Sequence, residues 1–223
     1  MRTIGNFTRV HGDADVTSRQ SHFDPGAEAT AIWIFQGDFY VSARPDMFLT
    51  TVLGSCVAVC MRDPIAGCGG MNHFLLPDAE DRGEHDPGLA LRYGSYSIER
   101  LINAILSRGG RRERLEIKVF GGANVLGGLS DVGSRNVDFI EHYFAKERLP
   151  IKAVDLRGNF PRKLRYFPTT GRAQVSDLRN GEAADAIRSE TDMRAKMPFS
   201  KLSGEVEVFS QELSNRAGQN GTG

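Results

Sequence analysis

The chain has 223 residues, enough for one domain with a full hydrophobic core and extended ends. Lysine plus arginine number 28 and aspartate plus glutamate 28, so no net positive field points to nucleic acid or to an anionic membrane surface. Its three cysteines are too few and too clustered for a secreted disulfide framework, and neither a signal-peptide core near the start nor a run of ~20 apolar residues occurs, so a soluble cytoplasmic protein without membrane insertion is expected.

Residues 1–30 are polar, show no sustained apolar period and read as a flexible extension. The domain is expected over 31–179. It opens with Ile32, Trp33, Ile34 and Phe35, a Gln36-Gly37-Asp38 turn signal, and then Phe39, Tyr40 and Val41, which together read as a β-hairpin. Met47 to Leu53 and Cys56 to Met61 have strand composition on either side of Gly54. Asp63-Pro64 with Gly67 marks a turn before Met71 to Leu76. Residues 78–88 crowd charge, glycine and proline into a surface loop.

Ile98, Leu101, Ile102, Ile105 and Leu106 carry the spacing of an amphipathic helix, with Ser95 or Ser97 as N-cap and Gly109-Gly110 as stop. Leu115, Ile117 and Val119 alternate with Glu116 and Lys118 as a strand does, and Phe120-Gly121-Gly122-Ala123-Asn124 breaks it with a tight turn. A second helix over 135–148 sets Val137, Ile140, Tyr143 and Phe144 on one face before Pro150 stops it. Further strands are expected at 151–156, 163–167 and 172–175, the last two joined at Thr170-Gly171. Residues 180–223 read as a mostly disordered tail with a short ordered segment at 205–209. Two helices among many short strands indicate the α/β class in the mixed α+β sense.

The chemistry concentrates in Leu53-Gly54-Ser55-Cys56 and Gly69-Gly70-Met71-Asn72-His73-Phe74. A thiol attacks a carbonyl only once its proton is removed, and an imidazole within reach can remove it near neutral pH. Gly54-Ser55 ahead of the cysteine allows a bend whose backbone N–H groups can hold an oxyanion. Cys60 and Cys68 read as small core hydrophobes, Cys60 on the same strand face as Cys56 and Ala58. A zinc site from Cys56, Cys60, Cys68 and His73 is disfavoured, since the spacing matches no known finger and Cys56 and Cys60 lie too far apart along a strand. Of the other histidines, His11 and His22 fall in the extension, His85 in the polar loop and His142 on the second helix.

Several ordered blocks resemble the CheD family of chemoreceptor glutamine deamidases. These are Thr50-Thr51-Val-Leu-Gly-Ser-Cys56-Val-Ala-Val-Cys60-Met-Arg-Asp-Pro64, Gly69 to Pro77, Arg92-Tyr93-Gly94, the 111–124 block, Gly133-Ser-Arg-Asn136, and Pro161-Arg-Lys with Thr170-Gly-Arg172. The likeness spans about residues 45–178. It implies layered mixed sheets flanked by helices in a single domain, and a cysteine hydrolase that converts receptor glutamines to glutamates with no metal or cofactor. The implied nucleophile is Cys56, the base His73, and the residue orienting the base Thr50 or Thr51, with Gly54 and Ser55 supporting the oxyanion. Methyl-accepting chemotaxis receptors are the implied substrates and a CheC-type phosphatase an implied partner; glutamines presented on a rod-like receptor imply a shallow open cleft, for which the loop at 78–88 is a candidate rim. A cysteine peptidase or transamidase would use the same pair of residues, and a non-catalytic adaptor for the phosphatase would need neither.

Overall fold

The computed structural model describes residues 21–76, 87–125, 132–179 and 182, and of 87–92 the backbone alone. Among these residues, ten strands form two five-stranded sheets. The first holds β1 (Ser21–Asp24), β2 (Ala29–Trp33), β4 (Met47–Leu53), β9 (Arg162–Tyr166) and β10 (Ala173–Asp177), in that order across the sheet. The second runs β3 (Phe39–Ser42), β6 (Cys68–Phe74), β5 (Val57–Asp63), β7 (Glu116–Gly121) and β8 (Ile151–Leu156). Among the described strands, only β2 with β4 and β7 with β8 pair in parallel. The second of these is the join that needs a crossover helix, and α2 (Val132–Lys146) lies between its strands in the chain. The result is one α+β domain, as the sequence led us to expect.

Three layers follow from which faces are apolar. Ile32, Leu49, Leu53 and Leu164 of the first sheet meet Ala58, Cys60, Met71 and Phe120 of the second in one buried cluster. The opposite face of the second sheet, with Val57, Val59, Ile117 and Val119, packs on α1 (Pro87–Leu106) and α2. The expected stripe of α2 is buried: Val137, Ile140, Tyr143 and Phe144 are all at or below 7% exposure. Fully burying a side chain such as Ile140 contributes about 2 kcal/mol. This helix ends where Arg148 adopts a left-handed backbone at φ 54 and Leu149 N donates to Phe144 O at 3.0 Å, with Pro150 barring any continuation. No described helix is long and apolar enough to cross a membrane.

Three expectations need correcting. Residues 32–41 do not form a hairpin: β2 pairs with β1 and β4, β3 pairs with β6, and residues 34–38 cross from one sheet to the other. A Gln-Gly-Asp turn signal is local and cannot say whether the next strand folds back or changes sheet. The first helix begins at Pro87 rather than near Ser95, a start that suits proline's fixed φ. Ser97 is no cap, and its hydroxyl accepts a bond from Asn72 Nδ2 at 3.0 Å. The ordered sheet also begins earlier than residue 31, because Ser21–Asp24 pairs antiparallel with Ala29–Ile32. Residues 1–20 of the expected extension, 78–86 of the expected rim loop, and the expected tail except residue 182 lie outside the described residues.

Candidate active site

His73 is held by its own sheet, by the crossover between the sheets and by the first sheet. It sits on β6, 3% exposed, with Ala58 of β5 as its cross-strand partner. Its main chain is gripped by the sheet crossover: Gly37 N donates to His73 O at 2.7 Å and His73 N donates to Asp38 O at 3.0 Å. Its ring reaches the first sheet, where Nδ1 lies 2.8 Å from Thr51 Oγ1 and 3.2 Å from Ile34 O. A carbonyl oxygen only accepts, so the contact to Ile34 places the proton on Nδ1. Nε2 then carries the lone pair and is the basic nitrogen of this tautomer.

The two threonines are separated by strand parity. Thr51 is opposite Leu164 in the β4–β9 pairing and faces the space between the sheets. Thr50 is directed to the other face, and its Oγ1 donates to Leu164 O at 2.9 Å. Both are buried, so exposure does not distinguish them; direction does.

Cys56 lies on the link from β4 to β5, one residue before β5 begins. It packs with Ala58 and Cys60 on the inter-sheet face and is partly exposed, whereas Cys60 is fully buried. Two residues before His73's cross-strand partner, it occupies the diagonal position to His73. Diagonal pairs on one face of an antiparallel ladder are separated by about 7–8 Å at Cα and less at Cβ, a span that long side chains bridge. Gln36, in the crossover, brings its Oε1 to 3.9 Å from Cys56 Sγ. Burial pushes the thiols of Cys60 and Cys68 up, which keeps both protonated. Cys68 belongs to the helix-facing cluster and Cys60 to the inter-sheet one, so the three cysteines do not converge on one ion.

The backbone at Gly54-Ser55-Cys56 is fixed by a turn that the sequence marked only as tight. Gly122 N donates to Cys56 O and Ala123 N to Gly54 O, each at 2.8 Å. Gly121 stands at φ 112, and a Cβ on it would collide with Cys56 O. The glycine that permits the close approach is therefore Gly121, whereas Gly54 has ordinary room, 3.7 Å from Val125. Asn136 adds a third tie. It is fully buried on α2, accepts from Leu76 N at 2.9 Å through Oδ1 and donates from Nδ2 to Ser55 O at 2.9 Å. Sequence reasoning missed this role, although Asn136 stands four residues before Ile140 on the apolar stripe, where a polar residue is a signal.

Comparison with known proteins gives a consistent answer. The family model described as CheD chemotactic sensory transduction matches residues 75–177. A Rhodopseudomonas palustris protein named probable chemoreceptor glutamine deamidase CheD is 49% identical over 186 residues, 83% of this chain and 87% of the relative. Proteins of the same name from Xanthomonas campestris and a Caulobacter species are 48% identical over 172 residues and 43% over 190, covering 76% and 85% of this chain and 85% and 98% of theirs. At this identity and coverage, the chain belongs to the CheD family.

Proposed function

We propose that the chain is a protein-glutamine deamidase that converts glutamine side chains of methyl-accepting chemoreceptors to glutamate, with Cys56 as nucleophile, His73 as base and Thr51 as the residue that orients His73. The observation that carries this reading is the double engagement of His73 Nδ1 by Thr51 Oγ1 and Ile34 O, which tethers the ring at one nitrogen and leaves Nε2 as the basic one. The names of the relatives supply the substrate class.

In this mechanism Nε2 takes the proton of the Cys56 thiol, and sulfur attacks the carboxamide carbon of a receptor glutamine. The carbonyl electron pair moves to oxygen, where backbone N–H groups at Ser55 and Cys56 receive it. When that pair returns, the C–N bond breaks and ammonia departs with the proton from His73, leaving a thioester. Water, deprotonated by the same imidazole, then adds to the thioester carbon, the C–S bond breaks to release glutamate, and His73 returns the proton to the Cys56 sulfur. The hydrogen bonds from Gly122, Ala123 and Asn136 keep the cysteine segment from moving as charge develops.

A cytoplasmic location and a CheC-type phosphatase as partner belong to the same proposal, and co-elution with such a phosphatase tests the latter. The activity itself is tested by ammonia release from a receptor fragment. Wild type and Cys60→Ala should release it, and Cys56→Ala and His73→Ala should not. Release by Cys56→Ala at the wild-type rate would reject the assignment, and backbone cleavage or crosslinking in place of ammonia would favour a peptidase or transamidase.

A further inference from the structure

The crossover that holds His73 also presents a carboxamide to the nucleophile. Asp38 N donates to Phe35 O at 2.9 Å, closing a four-residue turn, and Gly37 takes its left-handed position at φ 90. Gln36 thus stands at the projecting corner. Because Gly37 N and Asp38 O are both bonded to the main chain of His73, the bonds that fix the histidine also aim Gln36. Its Oε1 lies 3.9 Å from Cys56 Sγ, and Gln36 is exposed where Cys56 is half-buried. The amide therefore flanks the sulfur on its solvent side, where a substrate must enter.

We propose that Gln36 is a further catalytic residue, whose side-chain N–H donates to the oxyanion formed when Cys56 attacks a substrate carboxamide. This rests on the reading of Cys56 as nucleophile. As the S–C bond forms, the carbonyl π pair moves onto oxygen, and that oxygen is bonded to the same carbon as the sulfur. A donor that reaches the sulfur is thereby in range of the oxyanion. When the pair returns to rebuild the carbonyl, the C–N bond breaks and the hydrogen bond relaxes. In the resting thiol state Gln36 offers Oε1 to the S–H. Its last torsion is broad and two-fold, so rotation brings Nε2–H toward the site once the proton has left. A glutamine serves both states; a carboxylate would oppose the second.

Two reagents that both consume Cys56 separate this role from simple positioning. Acylation by p-nitrophenyl acetate passes through an oxyanion, whereas alkylation by iodoacetamide displaces iodide and forms none. Gln36→Ala should slow acylation by about tenfold or more while alkylation stays within about twofold of wild type. Gln36→Glu should slow acylation further still, through repulsion. With the receptor fragment, Gln36→Ala should lower kcat in proportion to acylation and leave KM little changed. Equal loss in both reactions would make Gln36 a positioning residue, and no loss in either would remove it from the site. Both results overturn the proposal. A wild-type protein that acylates normally yet releases no ammonia from the receptor fragment would instead overturn the deamidase reading, and the ratio of the two reagents would still decide Gln36.

Discussion

Thr51→Val keeps nearly the volume of a buried side chain and removes the one oxygen 2.8 Å from His73 Nδ1. Ile34 O remains at 3.2 Å, so the ring keeps its tautomer and loses one of two anchors. A buried hydrogen bond contributes about 1 kcal/mol net and about 2 kcal/mol when one partner becomes charged, as the imidazolium does during the reaction. That range corresponds to a fall in kcat of about 5- to 30-fold, with KM unaffected because Thr51 touches no substrate. Thr50→Val is the matched control. It loses the buried bond to Leu164 O, costing about 1 kcal/mol of stability, and should leave kcat within about twofold of wild type. Steady-state ammonia release from a receptor fragment, with urea midpoints for both variants, separates catalysis from folding. Thr51→Ser should recover most of the rate. If Thr50→Val is the slow enzyme and Thr51→Val the normal one, the derived orientation of His73 is wrong.

Gly121→Ala forces a side chain into φ 112 and against Cys56 O, and should cost more than about 2 kcal/mol in a denaturant titration while abolishing ammonia release. Asn136→Leu strands Leu76 N and Ser55 O in the interior; a loss of about 2–3 kcal/mol is expected, together with slower alkylation of Cys56, and unchanged alkylation would deny that Asn136 holds the cysteine segment. Asp63 gives a pH test. Burial acts to raise its carboxyl, but hydrogen bonds from Ala66 N, Arg114, Arg111 N and Ile65 N outweigh this and bring it down to about 2. A carboxyl depressed from the ordinary ~3.9 to that level contributes about 2–3 kcal/mol above pH ~5, and the contribution is lost as pH falls toward about 2. The stability gap between wild type and Asp63→Asn should therefore be widest near neutral pH and close on acidification; a gap independent of pH would contradict the pairing.

What could be read from the chain was local. The alternation of β7 and the stripe of α2 are set by side chains a few residues apart, and both appear where expected. The pairing of β5 with β6, which sets Cys56 diagonal to His73, was also within reach, because the turn at Asp63-Pro64 makes the two strands neighbours. Whether Thr50 or Thr51 contacts His73 was not, since it depends on which face of β4 meets the other sheet, a fact of sheet-on-sheet packing. The crossover at 34–38 was hidden for the same reason: its partners, Thr50 O and His73, lie 16 or more positions away along the chain. Asn136 went unread because it contacts residues 60 and 81 positions distant, although its place on a buried stripe was visible.

The central claim is that Cys56 turns receptor glutamines into glutamates, and mass mapping of receptor peptides after incubation tests it most directly. Wild type should convert particular glutamines, each gaining the amide-to-acid mass difference, and Cys56→Ala should convert none. The same glutamines converted by Cys56→Ala, or no glutamine converted by wild type, would contradict it.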